Sequence, residues 1–218
     1  MRIPLWIEAA KLKVLIFGGG SVGTRRAKLF ASAGASVRVI AKEVSGELAS
    51  LGVETIRADL YNYDPTDDIK WADIVVIAVD DKKLADMLYK KAESLGALVN
   101  DATDAERTHV VVPYERRIGG LRVAVTSEGA AGTPARLSLD VIEECINKSW
   151  IPRFYEIYSQ LKKEAKKEIP DAKTRLRFYE ALWQDETFKE CIMRGDSAGA
   201  LARGSEILKM LKSLGHET

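Results

Sequence analysis

The segment LKVLIFGGGSVG, residues 12–23, decides the fold of this 218-residue chain. Leu12–Phe17 is an apolar run rich in branched residues, which predicts a buried β-strand. The glycines that follow satisfy the spacing G-x-G-x-x-G between this strand and a predicted helix, the context that a dinucleotide-binding turn requires. The first glycine can form the tight turn, the second lets a pyrophosphate approach the backbone, and the third allows close packing of helix and strand. The predicted cofactor-binding residues are Gly18, Gly19, Gly20, Ser21, Val22 and Gly23.

Strands and helices alternate along the chain beyond this turn. Apolar runs at 37–41, 53–56 and 74–79 predict three further strands. A helix over about 83–95 is followed by a fifth strand that begins at Leu98 and runs into Asn100 and Asp101. Alternating elements of this length predict a parallel sheet covered by helices, with ligands at the carboxyl ends of its strands.

The pattern changes beyond Pro113. A strand at 121–126 and a helix at 134–147 predict a small α+β segment, and no strand-like run follows Pro152. The fold class is therefore α/β, with a Rossmann-type parallel sheet, the α+β segment and a helical carboxyl-terminal domain. The expected bounds are 1–113 for the dinucleotide-binding domain, 114–150 for the segment and 151–218 for the helical domain.

Composition excludes several functional classes. Lys and Arg number 33 against 32 Asp and Glu, so no overall field of either sign favours a nucleic-acid partner. Cys145 and Cys191 lie far apart without a CxxC pair, which argues against a zinc site and a disulfide framework. No stretch approaches the roughly 18 apolar residues that span a bilayer, and no export signal is evident. We expect a cytoplasmic protein without a membrane anchor.

The residues that would select the cofactor follow the second predicted strand. Dinucleotide-binding domains usually carry an acid about 20 residues after the glycines, at the tip of this strand. Here the strand ends at Ala41 and continues into Lys42 and Glu43. Glu43 can reach the ribose hydroxyls from the loop, whereas Lys42 favours a 2′-phosphate. These two residues leave both NAD and NADP open at this point.

Four motifs in a fixed order carry a family resemblance. They are Leu5-Trp6, GGGSVGTRRAKLFASAGASVRVIA at 18–41, IAVDD at 77–81, and LVNDATD at 98–104 followed by VVVPYERR at 110–117. Over roughly residues 1–150 the chain resembles the precorrin-2 dehydrogenase family, to which the amino-terminal part of siroheme synthase belongs. The helical tail resembles the family only in being helical. The resemblance also places Asp80 among the cofactor-binding residues.

This resemblance implies NAD-dependent oxidation of precorrin-2 to sirohydrochlorin in siroheme biosynthesis, and some members of the family also insert ferrous iron. The cofactor does the redox chemistry itself. In the family, an aspartate after the fifth strand accepts the proton. The resemblance implies this role for Asp104 first and for Asp101 second. An alignment to the family motif without gaps places that aspartate at the position of Thr103 in this sequence. His109 is a weak candidate to ligate iron or relay a proton, because no second ligand clusters with it.

The implied substrate bears many carboxylates, and arginine pairs with carboxylate through two parallel hydrogen bonds. We expect some of the arginines between residues 105 and 136 to bind substrate and the others to lie on the surface or to form salt bridges in a dimer; they are Arg107, Arg116, Arg117, Arg122 and Arg136. The turn 127–134 resembles a family turn, with Glu128 in place of a glycine, and makes Ser127 a further substrate-binding candidate. In the family this region joins two subunits, so the resemblance implies a homodimer.

Two other classes stay open at this point. A nucleotide-sensing regulatory module shares the alternating core and dimerises without catalysing a reaction, but such modules usually keep the ribose acid. A dehydrogenase for an unrelated small substrate is the second alternative. The missing acid and the arginine-rich segment favour the tetrapyrrole enzyme.

Overall fold

The computed structural model describes residues 2–214, so Met1 and residues 215–218 of the predicted helical domain lie outside the described residues. The chain divides into two compact units. The first contains the residues up to Val112 together with Glu128–Ala130. The second contains Pro113–Ser127 and the residues from Ala131 onward.

The first unit is built on a parallel sheet of five strands in the order β3-β2-β1-β4-β5. The predicted Rossmann-type α/β fold is confirmed. The strand order reverses between β1 and β4, and such a reversal opens a crevice at the carboxyl ends of the strands. The strands are β1 (Lys13–Phe17), β2 (Ser36–Ala41), β3 (Glu54–Arg57), β4 (Ile74–Ile77) and β5 (Leu98–Asp101).

Helices cover both faces of this sheet because its central strands are apolar on both sides. Val14 and Ile16 of β1 face one core cluster, and Leu15 and Phe17 face the other. The two short helices α2 and α3 were not predicted, since five or six residues carry too little periodicity to be recognised. The helices are α1 (Ser21–Ser32), α2 (Gly46–Ser50), α3 (Thr66–Trp71) and α4 (Lys82–Ser94).

The second unit begins with an antiparallel hairpin of β6 (Tyr114–Ile118) and β7 (Leu121–Val125). The first of these strands was missed, because its residues are mostly charged and exposed and lack an apolar alternation. Five helices follow, and the last four of them confirm the predicted helical character of the tail. They are α5 (Gly132–Lys148), α6 (Ile151–Glu168), α7 (Ala172–Gln184), α8 (Glu186–Arg194) and α9 (Ser197–Leu214).

The tail has a hydrophobic core of its own. Leu161, Phe178, Leu182 and Phe188 are fully buried within it. Within residues 2–214, every helix is too short or too polar to cross a membrane.

A close backbone approach fixes α1 on the sheet. A Cβ atom added to Gly23 would lie 2.0 Å from the carbonyl oxygen of Gly18 and 3.7 Å from the Cγ2 atom of Ile16. The first of these neighbours is backbone and cannot swing aside. The helix therefore lies at a distance from β1 that only a glycine allows.

Gly23→Ala should lower the free energy of unfolding by roughly 1–3 kcal/mol, because the methyl group overpacks this contact. Gly46→Ala is the matched control, since nothing lies within 4 Å of its added Cβ. We expect this control to be neutral or to stabilise by up to about 1 kcal/mol. Urea unfolding without added dinucleotide measures both variants. Equal stability of Gly23→Ala and the wild type would contradict the close approach.

Candidate active site

The glycine turn connects β1 to α1 at the carboxyl edge of the sheet. Gly18 has φ +108°, in the region that favours glycine, and a Cβ added to it would lie 2.2 Å from the carbonyl oxygen of Ala78. Its N–H donates to the carbonyl of Ile40 at 3.0 Å. The turn is thereby pressed against the residues that follow β4 and the end of β2.

The amino end of α1 offers unused hydrogen-bond donors on an open side of this turn. Gly20 caps the helix without a side-chain hydrogen bond, and nothing lies within 4 Å of a Cβ added to it. The first N–H groups of a helix have no acceptor within the helix and carry the positive end of its dipole. Ser21, Val22 and Gly23 supply these groups, so the predicted turn residues form a fitting cradle for a pyrophosphate.

The loop after β2 lies against the same turn. A Cβ added to Gly19 would lie 2.3 Å from the carbonyl oxygen of Glu43. The side chains of Lys42 and Glu43 are both exposed. The structure therefore brings both predicted ribose-side residues beside the glycine turn.

Two hydroxyl groups that sequence reasoning missed fasten this loop. Thr24 is buried, and its Oγ1 atom lies 3.3 Å from the carbonyl oxygen of Gly19 and 3.3 Å from Oγ of Ser45. Ser45 also accepts a hydrogen bond from the N–H of Leu48 at 3.1 Å and so caps α2. The sequence signal that could have identified Thr24 is a polar residue directly after the third glycine of the motif, on the inward side of α1.

The two aspartates after β4 have different surroundings. Asp81 accepts hydrogen bonds from the N–H of Lys83 at 2.9 Å and from the hydroxyl of Tyr61 at 2.7 Å. The Tyr61 hydrogen bond, helped by the backbone bonds, lowers the pKa of Asp81. Asp81 thus serves as the cap of α4, and the exposed Asp80 is the aspartate of this pair that stands outside the cap.

Asp101, the last residue of β5, is a buried and fully bonded carboxylate. Its side chain has 0% exposure. Oδ1 accepts from the N–H and the hydroxyl of Thr103 at 2.8 and 2.7 Å, and Oδ2 accepts from Nε of Arg107 at 2.7 Å. A buried carboxylate needs such partners to remain charged. The geometry gives Asp101 the function of an anchor for the loop that follows it.

Arg107 is bound by the protein on three sides. It pairs with Asp101 and Asp86, and its guanidinium carbon lies 4.7 Å from the ring centre of Tyr89. Burial opposes the charged form, but the hydrogen bonds to Asp86 and Asp101 outweigh it and raise the pKa of Arg107. Its Nε and Nη1 atoms are directed at these two carboxylates, which the sequence could not show.

Asp104 lies in the loop between β5 and β6 and is much more accessible. Its side chain is 46% exposed, and Oδ2 lies 3.9 Å from Nε of Arg107. Oδ1 accepts a hydrogen bond from the N–H of Glu106 at 2.9 Å. One oxygen of this carboxylate is therefore available to a bound molecule.

His109 ends the same loop in a structural position. Its Nδ1 atom accepts the N–H of Val99 at 3.2 Å, and Nε2 lies 3.5 Å from the hydroxyl of Tyr89. In the described part of the chain, no three His, Cys, Asp or Glu side chains group together in a way that could hold a metal ion.

The remaining substrate-binding candidates belong to the second unit. Arg116 donates to Asp140 at 2.7 Å and to Glu143 at 2.5 Å, and Arg122 donates to Glu115 at 2.5 Å. These two arginines form ion pairs within the unit.

The other three candidates differ in what they offer to a ligand. Ser127 uses its hydroxyl oxygen to accept the N–H of Ala131 at 2.9 Å and so holds its own turn. The side chains of Arg117 and Arg136 are exposed.

Asp101→Ala should lower the free energy of unfolding by about 2–4 kcal/mol, because Arg107 and Thr103 lose a buried acceptor. Asp104→Ala should cost less than about 1 kcal/mol, since that carboxylate is half-exposed. Urea unfolding of the two variants makes the comparison. Equal losses would contradict the separation of the two aspartates into an anchor and an accessible group.

Two curated proteins are similar in sequence to most of this chain. Siroheme synthase of Chromobacterium violaceum is 32% identical over 205 residues, covering 91% of this chain and 42% of that protein. Siroheme synthase of Pseudomonas putida is 32% identical over 186 residues, covering 84% of this chain and 39% of that protein. The chain thus spans less than half the length of these curated relatives.

A solved structure shares the fold along almost the whole chain. The structure titled SirC, precorrin-2 dehydrogenase superposes with a TM-score of 0.65 at 19% identity, covering 97% of this chain and 100% of that one. The predicted resemblance is confirmed. The family described as "Putative NAD(P)-binding" matches residues 5–114, half of the chain, in agreement with the predicted nicotinamide dinucleotide cofactor. The chain belongs to this NAD(P)-binding family.

Proposed function

We propose that this chain oxidises precorrin-2 to sirohydrochlorin with NAD as the hydride acceptor. The observation that carries the proposal is the placement of two features at one edge of a single sheet. The open glycine turn follows β1, the loop with Asp104 follows β5, and β4 lies between these two strands. The similarity to siroheme synthases and to a structure titled as a precorrin-2 dehydrogenase supports this substrate class.

The residues at the glycine turn fit a dinucleotide. We propose that the N–H groups of 20–23 hold the pyrophosphate, that Glu43 contacts the ribose, and that Asp80 lies on the cofactor side of the crevice. Glu43 is favoured over Lys42 as the ribose contact because its own backbone lies against Gly19. Bound NAD supplies the hydride-accepting nicotinamide ring.

The protein must also take up a proton, and Asp104 suits this role better than Asp101. Oxidation removes a hydride and a proton from the substrate; the hydride passes to NAD and the proton to the base. Both oxygens of Asp101 already accept hydrogen bonds, and protonation would break its ion pair with Arg107. Asp104 has an accessible oxygen and can release the proton to solvent.

Substrate carboxylates need basic side chains that are not already paired. Arg117 and Arg136 are exposed, whereas Arg107 and Arg116 already form ion pairs with acidic side chains. We therefore propose Arg117 and Arg136 as the principal carboxylate-binding residues. Ser127 is retained as a residue that shapes the neighbouring turn.

The proposal extends to organisation and location. We assign 1–113 to the dinucleotide-binding domain, 114–150 to a dimerisation segment and 151–218 to the helical domain. Exposed apolar side chains on α5, Leu137 and Val141, support a homodimer through this segment. The free thiols of Cys145 and Cys191 support a reducing cytoplasmic compartment.

The direct test is anaerobic incubation of the purified protein with precorrin-2 and either NAD or NADP. We expect the sirohydrochlorin spectrum and NADH fluorescence to rise together, with higher kcat/KM for NAD. Dinucleotide binding without turnover would contradict the proposal and favour a sensing module or a dehydrogenase for another substrate.

Asp104→Ala should lower kcat by roughly 100-fold to 10,000-fold, because the proton loses its acceptor. NAD affinity should stay unchanged, since the glycine turn is intact. Steady-state kinetics and a binding titration measure the two quantities. Glu106→Gln is the matched control, as it changes an exposed carboxylate on the same loop. Normal turnover by Asp104→Ala would remove this residue from the mechanism.

Gly20→Val should abolish NAD binding while leaving the fold intact. The added side chain meets no protein atom near its Cβ and instead enters the open space beside the helix amino end. Calorimetric titration with NAD measures the affinity, and circular dichroism checks the fold. Wild-type affinity in this variant would show that the pyrophosphate binds elsewhere.

A further inference from the structure

The loop 102–109, which carries Asp104, has few apolar anchors. Ala102, Thr103, Ala105 and Glu106 are all exposed. Within the loop, the buried hydroxyl of Thr108 lies 2.9 Å from the carbonyl oxygen of Asp101 and 3.1 Å from that of Asp104. Polar contacts therefore determine the conformation in which the loop presents Asp104.

Arg2, distant in sequence, supplies several of these contacts. Its Nη2 atom donates to the carbonyl oxygens of Thr108 at 2.8 Å and Ala105 at 3.0 Å, and Nε donates to Thr108 at 3.2 Å. Hydrogen bonds from a charged guanidinium are stronger than those between neutral groups. The Arg2 side chain is 29% exposed, whereas the next residue, Ile3, is 72% exposed. Arg2 is therefore packed on the loop although its neighbour in the sequence is exposed.

Glu128 holds Arg2 from the opposite side. Its Oε2 atom lies 3.1 Å from Nη1 of Arg2. Glu128 has φ +54°, and among residues 2–214 it is the one residue other than glycine with a positive φ. The next residue, Gly129, packs so closely on the loop that an added Cβ would lie 2.2 Å from Cβ of Ala105. Strained backbone of this kind persists where surrounding contacts determine it.

We propose that Arg2 and Glu128 form a brace that holds the 102–109 loop in its working conformation and makes both of them positioning residues for Asp104. This inference rests on the proposed function. Arg107 anchors the loop at Asp101, and Arg2 ties down Ala105 and Thr108, so Asp104 lies between two fixed points. Without the brace, the carboxylate occupies its productive position for a smaller fraction of the time.

The test compares Arg2→Ala, Arg2→Lys and Glu128→Gln in the full chain, with Glu106→Gln as the control on the same loop. We expect Arg2→Ala to lower kcat between about 10-fold and 100-fold, with the KM for NAD unchanged, because the glycine turn is untouched. Arg2→Lys should recover part of the loss, since an ammonium group can still donate to the two carbonyls. Glu128→Gln should show a smaller loss of kcat, because the amide oxygen can still accept.

Hydrogen exchange of the amides of 102–109 gives a readout that does not require turnover. Faster exchange and lower kcat in Arg2→Ala, both partly restored in Arg2→Lys, would support the brace. Wild-type kcat in Arg2→Ala, or no recovery with lysine, would overturn the positioning role while the proposed function stands. Absence of turnover in the wild type itself would overturn both.

Discussion

The structure depends on a contact between backbone atoms that leaves no room for side chains. Gly18 in the glycine turn lies against the carbonyl group of Ala78, and Gly23 in the first turn of α1 lies against the carbonyl group of Gly18. Since both neighbours are main chain, the amino end of α1 is fixed where the strand order reverses between β1 and β4. Gly20 has no such close neighbour, since nothing lies within 4 Å of a Cβ added to it. One constraint thus produces both the rigid turn and the accessible N–H groups.

Two carboxylates at the same edge of the sheet have different surroundings. Asp101 is buried and bonded on both oxygens, so its charge is compensated inside the protein. Asp104, three residues later, is half-exposed and weakly tied to Arg107. The ion pair between Asp101 and Arg107 fixes the start of the loop, and the loop leaves the carboxylate of Asp104 accessible to a bound molecule.

Much of this could be predicted from the sequence, because buried strands are apolar runs and the glycine spacing reflects backbone contacts near in sequence. The motifs thus gave the sheet, the turn and the family resemblance. They could not separate Asp101 from Asp104, since burial depends on atoms from α4 and the following loop. They also could not show that Arg107 and Arg116 form ion pairs with acidic side chains. Strand β6 was missed because its residues are mostly polar. The contacts of Arg2 were missed because they join residues more than 100 positions apart in the sequence.

The most direct test is a crystal structure of the protein with NAD bound. The account predicts the pyrophosphate within hydrogen-bond distance of the N–H groups at the start of α1, with Asp104 nearer than Asp101 to the nicotinamide ring. A dinucleotide bound away from the glycine turn, or a nicotinamide that faces Asp101 with its ion pair to Arg107 broken, would contradict the account.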